Sequence, residues 1–330
     1  MEDYKAAGLT EEDLKTMYTW MDFGRKLDER MWLLNRAGKI SFVISCQGQE
    51  AAQIGMGYAM AEGDISSPYY RDLVLVTYLG MTAKDILLSA FGKKEDINSG
   101  GKQMPSHFGH KKLGILSQGS PVGTQILHAV GASLALKMDK KSNIAMTTVG
   151  EGSSNQGDFH EGLNFAGVHK LPFICVIENN KYAISVPDSL QYAAEKLSDR
   201  AIGYGMHGER VDGNDPIAMY KAMKEARTRA LNGEGATLLE AMCTRMTAHS
   251  SDDDDQYRSQ EIRDALKVED CNQRFKQYLL DENIADEAWF ESVENDNKEI
   301  IKTATKEAEQ APYPSAEETY KHVYEEGSLQ

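Results

Sequence analysis

Apolar residues open the chain at helical spacing. Leu14, Met17, Tyr18 and Met21 recur at steps of three and four, and Arg25 continues the same face. With Thr10 as a cap, the acid-rich T-E-E-D-L start and Gly38 as a stop, the pattern predicts a helix over residues 10–37. An Ala- and Gly-rich stretch predicts a second, closely packed helix over 47–60, and Thr82 caps a third over 82–91. Between them, S-S-P-Y-Y-R-D (66–72) reads as a loop. From 93 to 124 periodicity is lost and Gly and polar residues dominate. So long an irregular segment inside a domain is functional or disordered. We read it as functional, because it feeds directly into a helix at 125–138.

The pattern then changes to short apolar runs alternating with amphipathic ones. Ile144–Val149, Pro172–Ile177, a run ending at Val211, and Thr237–Met242 predict strands, separated by helices at 157–169 and about 216–231. This βαβαβ order predicts an α/β fold: a mostly parallel sheet with helices on both faces. After residue 245 the chain is hydrophilic, with D-D-D-D reading as a solvated, mobile loop at Asp254 and Asp255. Amphipathic helices then run to about 309, followed by a tail. The sequence divides into a helical arm (1–38), an α/β domain (39–260) and C-terminal helices with a tail packed on that domain (261–330).

Composition narrows the function. The 330 residues carry a formal net charge of −15, which gives no electrostatic case for nucleic acid or an anionic membrane surface. No apolar stretch is long enough to predict a membrane span, and the acidic N-terminus predicts no signal or transit peptide. Cys46, Cys175, Cys243 and Cys271 lie far apart, without a C-x-x-C pair. Isolated reduced thiols fit a cytoplasmic protein rather than a zinc or redox motif.

Two strand ends concentrate the chemistry. One predicted strand ends in V-G-E-G-S-S-N-Q-G-D-F (149–159), the next in E-N-N-K-Y-A-I-S (178–185). Glu151 and Asn180 are 29 residues apart, about one βαβ unit, so neighbouring parallel strands would deliver both to the same sheet edge. A dinucleotide fingerprint fails: Asn155 replaces its third glycine, and Glu151 would face a pyrophosphate with like charge. There is no P-loop motif either. A magnesium ion between carboxylate and diphosphate removes the conflict. Glu151, the Asn180 amide oxygen and a backbone carbonyl suit it, and the helix starting near Gly157 would aim its amides at the same anion.

G-E-G followed one βαβ unit later by N-N resembles the thiamine diphosphate motif. The resemblance extends over about two thirds of the chain. It includes I-S-F-V-I-S-C-Q-G-Q-E-A (40–51), Y-Y-R-D (69–72), G-G-K-Q-M-P-S-H-F-G (100–109), S-P-V-G-T-Q (120–125), H-K-L-P (169–172) and H-S-S-D-D-D-D-Q-Y-R (249–258). These segments are similar to the alpha subunits of branched-chain 2-oxo acid dehydrogenases, within the thiamine diphosphate-dependent dehydrogenase family.

That resemblance implies a thiamine diphosphate-binding fold and a set of roles. Glu151, Asn180 and the Tyr182 carbonyl would hold Mg²⁺. Tyr70, Arg71, Gly150, Gly152 and Ser153 would meet the diphosphate. Ser120 and Val122 would lie beside the aminopyrimidine and the substrate pocket, which Phe42 and Tyr70 would also line. His249 would be the active-site histidine and a cofactor contact, its loop ordered by Tyr257 and Arg258. A histidine in a polar loop is by itself most often a surface residue; the H-S-S-D-D context reverses that. Ser250 stands where animal relatives carry a phosphorylated serine. Pro121, Thr124 and Gln125 match a potassium site of some members, with Gly119 replacing a serine there. Glu178 stands where some relatives have Arg, and is expected either to be structural or to pair with Arg71 or Lys181. Asn179 is expected to shape the strand-end turn. The resemblance further implies a beta subunit in an α₂β₂ heterotetramer, which supplies the glutamate for the aminopyrimidine, and a lipoyl domain of the dihydrolipoyl transacylase core as acyl acceptor. The alternative within the class is a pyruvate or acetoin dehydrogenase alpha subunit; A-I-S-V-P and H-S-S-D-D favour the branched-chain enzyme.

Overall fold

The computed structural model describes residues 1–321. In chain order its elements are α1 (Glu11–Arg36), α2 (Glu50–Tyr58), β1 (Ile65–Ser67), α3 (Leu73–Tyr78), α4 (Ala83–Ala90), α5 (Thr124–Met138), β2 (Ala145–Gly150), α6 (Gly157–Val168), β3 (Phe173–Asn179), β4 (Tyr182–Ala183) and β5 (Val186–Pro187). They continue with α7 (Arg200–Gly203), β6 (His207–Asp212), α8 (Pro216–Leu231), β7 (Thr237–Met242), α9 (Gln260–Val268), α10 (Cys271–Asp281) and α11 (Glu287–Gln310). Thr10 accepts from Asp13 N while Asp13 caps Thr10 in return, the reciprocal box that starts α1. Thr82 and Asp85 repeat the device at α4.

Five strands form one parallel sheet in the order β1-β2-β3-β7-β6. Successive side chains along a strand point to opposite faces. Thus Ile174 and Val176 of β3 pack beneath α2 and α8, while Phe173, Cys175 and Ile177 pack beneath α5 and α6. All seven β3 residues are fully buried, the pattern of a central parallel strand covered on both faces. A second core joins α1, α4, α10 and α11, where the Tyr18 and Phe290 rings meet edge to face at 4.7 Å. The two cores are clamped by Arg25, which reaches Glu50 of α2 at 2.6 Å and Asp270 before α10 at 3.0 Å.

Three expectations need correction. The 66–72 segment is not wholly loop. Its first residues belong to β1, an edge strand paired to β2 through Ile65–Ala145, Ser66–Met146 and Ser67–Thr147. A three-residue strand leaves no alternation to detect. Next, β3 does not stop at Ile177: Glu178 and Asn179 are still paired, with Ala241 and Met242 of β7. Finally, Asp255 is not solvated. It is buried and grips Arg258 through two contacts of 2.6 Å. Of the C-terminal tail, residues 322–330 lie outside the described residues.

Candidate active site

β2 and β3 run side by side with Gly150 opposite Glu178. The residues that follow them therefore emerge at one edge, with Asn180 N donating to the Glu151 carboxylate at 3.3 Å. A cleft of about 450 Å³ opens there. Every residue expected at the site lines it: Phe42, Tyr70, Arg71, Ser120, Val122, Gly150, Glu151, Gly152, Ser153, Asn180, Tyr182 and His249. Ligand sites in open parallel sheets form at this edge, beyond the strand carboxyl ends.

Three of the cleft residues, Glu151, Asn180 and Tyr182, offer oxygens that could hold a metal. Glu151 is buried, and burial raises its carboxyl pKa against the opposing pull of its own backbone N–H and of long contacts from Gln191 Nε2 and Asn180 N, each at 3.3 Å. A buried carboxylate so thinly supported suits a cation. The Asn180 side-chain oxygen accepts from Tyr182 N at 3.2 Å, and the Tyr182 carbonyl accepts from Arg245 Nη1 at 3.4 Å. One carboxylate, one amide and one carbonyl form a hard oxygen set that leaves further positions for phosphate oxygens or water, as Mg²⁺ prefers. Among the described residues, no cluster of three or more His, Cys, Asp or Glu could hold a metal instead.

The anion side differs from expectation in one respect. A 3₁₀ turn, Glu151–Asn155, precedes α6, so Gly152 and Ser153 of that turn face the cleft rather than the first residues of α6. A Cβ on Gly152 would come within 2.6 Å of Ala183 Cβ in the β4–β5 hairpin, so no larger residue fits this close approach. Across the cleft, Arg71 is buried. Its Nη1 donates to the Ser45 carbonyl at 2.6 Å and the His249 carbonyl at 3.4 Å, and its Nε has no partner among the described residues. A buried donor left unsatisfied on a cleft wall fits an anionic ligand.

Arg71 also fixes the state of His249. Its Nη2 lies 3.3 Å from His249 Nδ1. A guanidinium can only donate, so Nδ1 accepts and the ring proton resides on Nε2. Burial, then Arg71 and Arg245, push the His249 pKa down to about 4. The ring is neutral at neutral pH and carries one N–H donor. Its loop is held by carboxylates: Asp253 accepts from His249 N at 2.7 Å and from Tyr257 OH at 2.5 Å. Arg258 donates to the carbonyls of Arg245 and Thr247 at 2.6 and 2.7 Å, so Tyr257 and Arg258 do order this loop. Ser250 is buried within it.

Glu178 pairs with neither Arg71 nor Lys181. It faces α2 and accepts from Gln53 Nε2 at 3.3 Å and Tyr69 OH at 3.0 Å. Asp72 is its neighbour in a fully buried carboxyl pair, and each has one oxygen with no partner in the described structure. Burial raises the pKa of both, Asp72 well above its ordinary value, and a proton between them accounts for both bare oxygens. Asn179 does shape the turn, accepting from Lys181 N at 3.0 Å, and also ties β3 to Glu240 of β7 at 2.9 Å. Pro121, Thr124 and Gln125 lie together at the start of α5, where the Thr124 hydroxyl donates to the Pro121 carbonyl at 3.0 Å.

Sequence reasoning missed several wall residues: Ile44, Met104, His107, Gln118 and Ile184. Most lie in stretches already singled out as irregular or motif-bearing, but nothing local shows which side chains turn inward. It also missed Arg245, which donates to Tyr182 O and, at 2.6 Å, to Tyr257 OH, joining the metal-side turn to the histidine loop.

The dehydrogenase E1 component family model matches residues 18–317. The chain is 54% identical over 323 residues to the 2-oxoisovalerate dehydrogenase subunit alpha of Bacillus subtilis (strain 168), covering 97% of this chain and 98% of that protein. It is 38% identical over 319 residues to the pyruvate dehydrogenase E1 component subunit alpha of the same organism, covering 96% of this chain and 83% of that protein. The corresponding pyruvate dehydrogenase subunit of Staphylococcus aureus (strain Mu50 / ATCC 700699) is 37% identical, with 96% and 84% covered. With a match that spans most of its length and a cleft that gathers the motif residues, the chain belongs to the dehydrogenase E1 component family.

Proposed function

We propose that the chain is the alpha subunit of the decarboxylating component of a branched-chain 2-oxo acid dehydrogenase complex. In this role it carries out oxidative decarboxylation of branched-chain 2-oxo acids and reductive acylation of lipoyl groups. The observation that carries the substrate class is the contrast between two relatives from one organism: 54% identity to the 2-oxoisovalerate enzyme against 38% to the pyruvate enzyme. Family membership implies thiamine diphosphate, which when bound supplies the electron sink that decarboxylation of a 2-oxo acid requires.

The chain's residues divide the work. Glu151, Asn180 and the Tyr182 carbonyl hold Mg²⁺. Arg71 and Tyr70, with the backbone at Gly150, Gly152 and Ser153, bind the diphosphate. The Arg71 fork suits phosphate oxygens. Ser120 and Val122 meet the aminopyrimidine. Phe42, Tyr70, Ile44 and Ile184 give an apolar wall for a branched side chain. His249 presents its Nε2–H to the substrate and assists acyl transfer. Potassium at Pro121, Thr124 and Gln125 has less behind it, because the Pro121 carbonyl already accepts from Thr124.

The cofactor domain is 39–260, with the arm 1–38 before it and the segment 261–330 after it in the chain; of that segment, the described helices α9, α10 and α11 end at Gln310. An alpha subunit requires a beta subunit; we propose an α₂β₂ heterotetramer that passes its acyl group to a lipoyl domain of the transacylase core. Four buried free cysteines support a reducing, cytoplasmic setting. No helix among the described residues is long and apolar enough to cross a membrane. The test is decarboxylation by the complex with its beta subunit, using 2-oxoisovalerate, 2-oxo-4-methylvalerate and pyruvate. A higher kcat/KM for the branched acids is expected; preference for pyruvate overturns the substrate class.

A further inference from the structure

His107 stands on the wall of the cleft in a segment with no regular structure, yet its position is firmly set. Asp96, itself buried, accepts from the backbone amides of Asn98, Ser99 and Gly101 and from the Ser99 hydroxyl. Asn98 in turn accepts from Gly109 N at 2.9 Å, and Gln118 N donates to the Phe108 carbonyl at 3.0 Å. Phe108, next to His107, is buried. These bonds bring residues 98–109 alongside 118–120 and place His107 against Ser120.

Both ring nitrogens are engaged. Nδ1 lies 2.8 Å from the Met104 carbonyl, and Nε2 lies 2.8 Å from Ser120 Oγ. A carbonyl can only accept, so Nδ1 carries the hydrogen. In a neutral imidazole, Nε2 then has only a lone pair to offer. The Ser120 hydroxyl hydrogen must point at His107. Among the described residues Ser120 Oγ has no second partner, and Ser120 lines the cleft beside Val122.

We propose that His107 is a positioning residue: by taking the Ser120 hydroxyl hydrogen it leaves Ser120 as an acceptor toward the cleft, which then selects a ligand ring presenting an N–H donor. This rests on the cofactor reading above, under which that ring is the aminopyrimidine and the donor its exocyclic amino group. A serine free to rotate would accept or donate with equal ease, and would bind an oxygen-bearing ring as well as an amino-bearing one. A site built for one hydrogen-bond polarity rejects the other, because the mismatched pair leaves polar groups facing without a shared proton.

The test measures direct binding, by fluorescence quenching, of thiamine diphosphate and of its analogue with an exocyclic oxygen in place of the amino group, to the complex with the beta subunit and Mg²⁺. The wild type is expected to prefer the amino ring. His107→Phe and Ser120→Ala should each narrow that preference about tenfold, close to the loss of one hydrogen bond's selectivity. The double variant should narrow it no further than either single variant, since both remove the same interaction. His107→Gln, whose amide oxygen can accept from Ser120, should restore it. Thermal midpoints matching wild type show that the variants are folded. An unchanged preference in His107→Phe, or additive effects in the double variant, overturns the inference while leaving the cofactor reading intact. Failure of the wild-type complex to bind thiamine diphosphate overturns both.

Discussion

The two sides of the cleft are built by different means. On one side, Glu151 and Asn180 follow directly from β2 and β3, and backbone pairing of those strands sets their separation. On the other, His107 and His249 sit on segments without regular structure, and a few carboxylates set their positions: Asp96 for one, Asp253 and Asp255 for the other. A strand ladder spreads its hold over many backbone bonds, so changing one side chain leaves the geometry standing. A loop held by one or two carboxylates has far less reserve. The strand side should therefore lose chemistry without losing structure, and the loop side should lose both.

The largest effect should come from the loop side. Arg258→Met strands the buried Asp255 carboxylate and frees the Arg245 and Thr247 carbonyls. Breaking a buried pair in this way costs about 3 kcal/mol. Urea unfolding should register the loss, and limited proteolysis should cut within 249–258. A stable variant with an uncut loop would put the two sides on equal footing.

Glu151→Ala should weaken Mg²⁺-dependent thiamine diphosphate binding by about 100-fold or more, since losing even an outer-shell partner of a metal ligand costs about 10–100-fold. The thermal midpoint should hold or rise, because a poorly supported buried charge is removed. A large fall in midpoint would show that the strand side, too, depends on its side chains.

His249→Ala should largely spare cofactor binding and impair acyl transfer to lipoamide. It should also change how stability depends on pH. The unfolded imidazole takes up its proton near pH 6.5, as its ordinary value dictates. The folded one does so only at about 4. Between these values the unfolded state binds more protons, so wild-type stability falls as the pH drops through that window. The variant should lose that part of the slope; parallel curves would refute the desolvated, neutral histidine.

The smallest effect should be Asp96→Asn. The amide keeps one accepting oxygen of the two that now serve the 98–101 turn, and the loss should be about 1 kcal/mol. Hydrogen exchange should quicken at Ser99 and Gly101 but not at β2 or β3.

Much of this was readable along the chain. α1, α8 and β7 fall where the apolar pattern places them, because their signals are local: spacing and, for α1, the Thr10 cap. The Glu151–Asn180 pairing was readable for a related reason, since one βαβ unit has a nearly fixed length. Other features were not. β1 is three residues long and exists as a strand only because β2 lies beside it. For Glu178 a structural role and an ion pair were both open, and α2 and Tyr69, enclosing it with Asp72, leave the structural one. Asp255 resembled solvated acid until Arg258 folded back onto it.

The sequence by itself determined the α/β alternation, the strand-end motif and the family, because each depends on residue type and short-range spacing. Only the tertiary structure decided which polar groups are buried, which carboxylates hold loops, and which nitrogen of His249 carries the proton. The state of His249 depends on Arg71, 178 residues away, and burial there sets charge and hydrogen-bond polarity. The loop carboxylates act on near neighbours, but residue type alone leaves open which of them are buried.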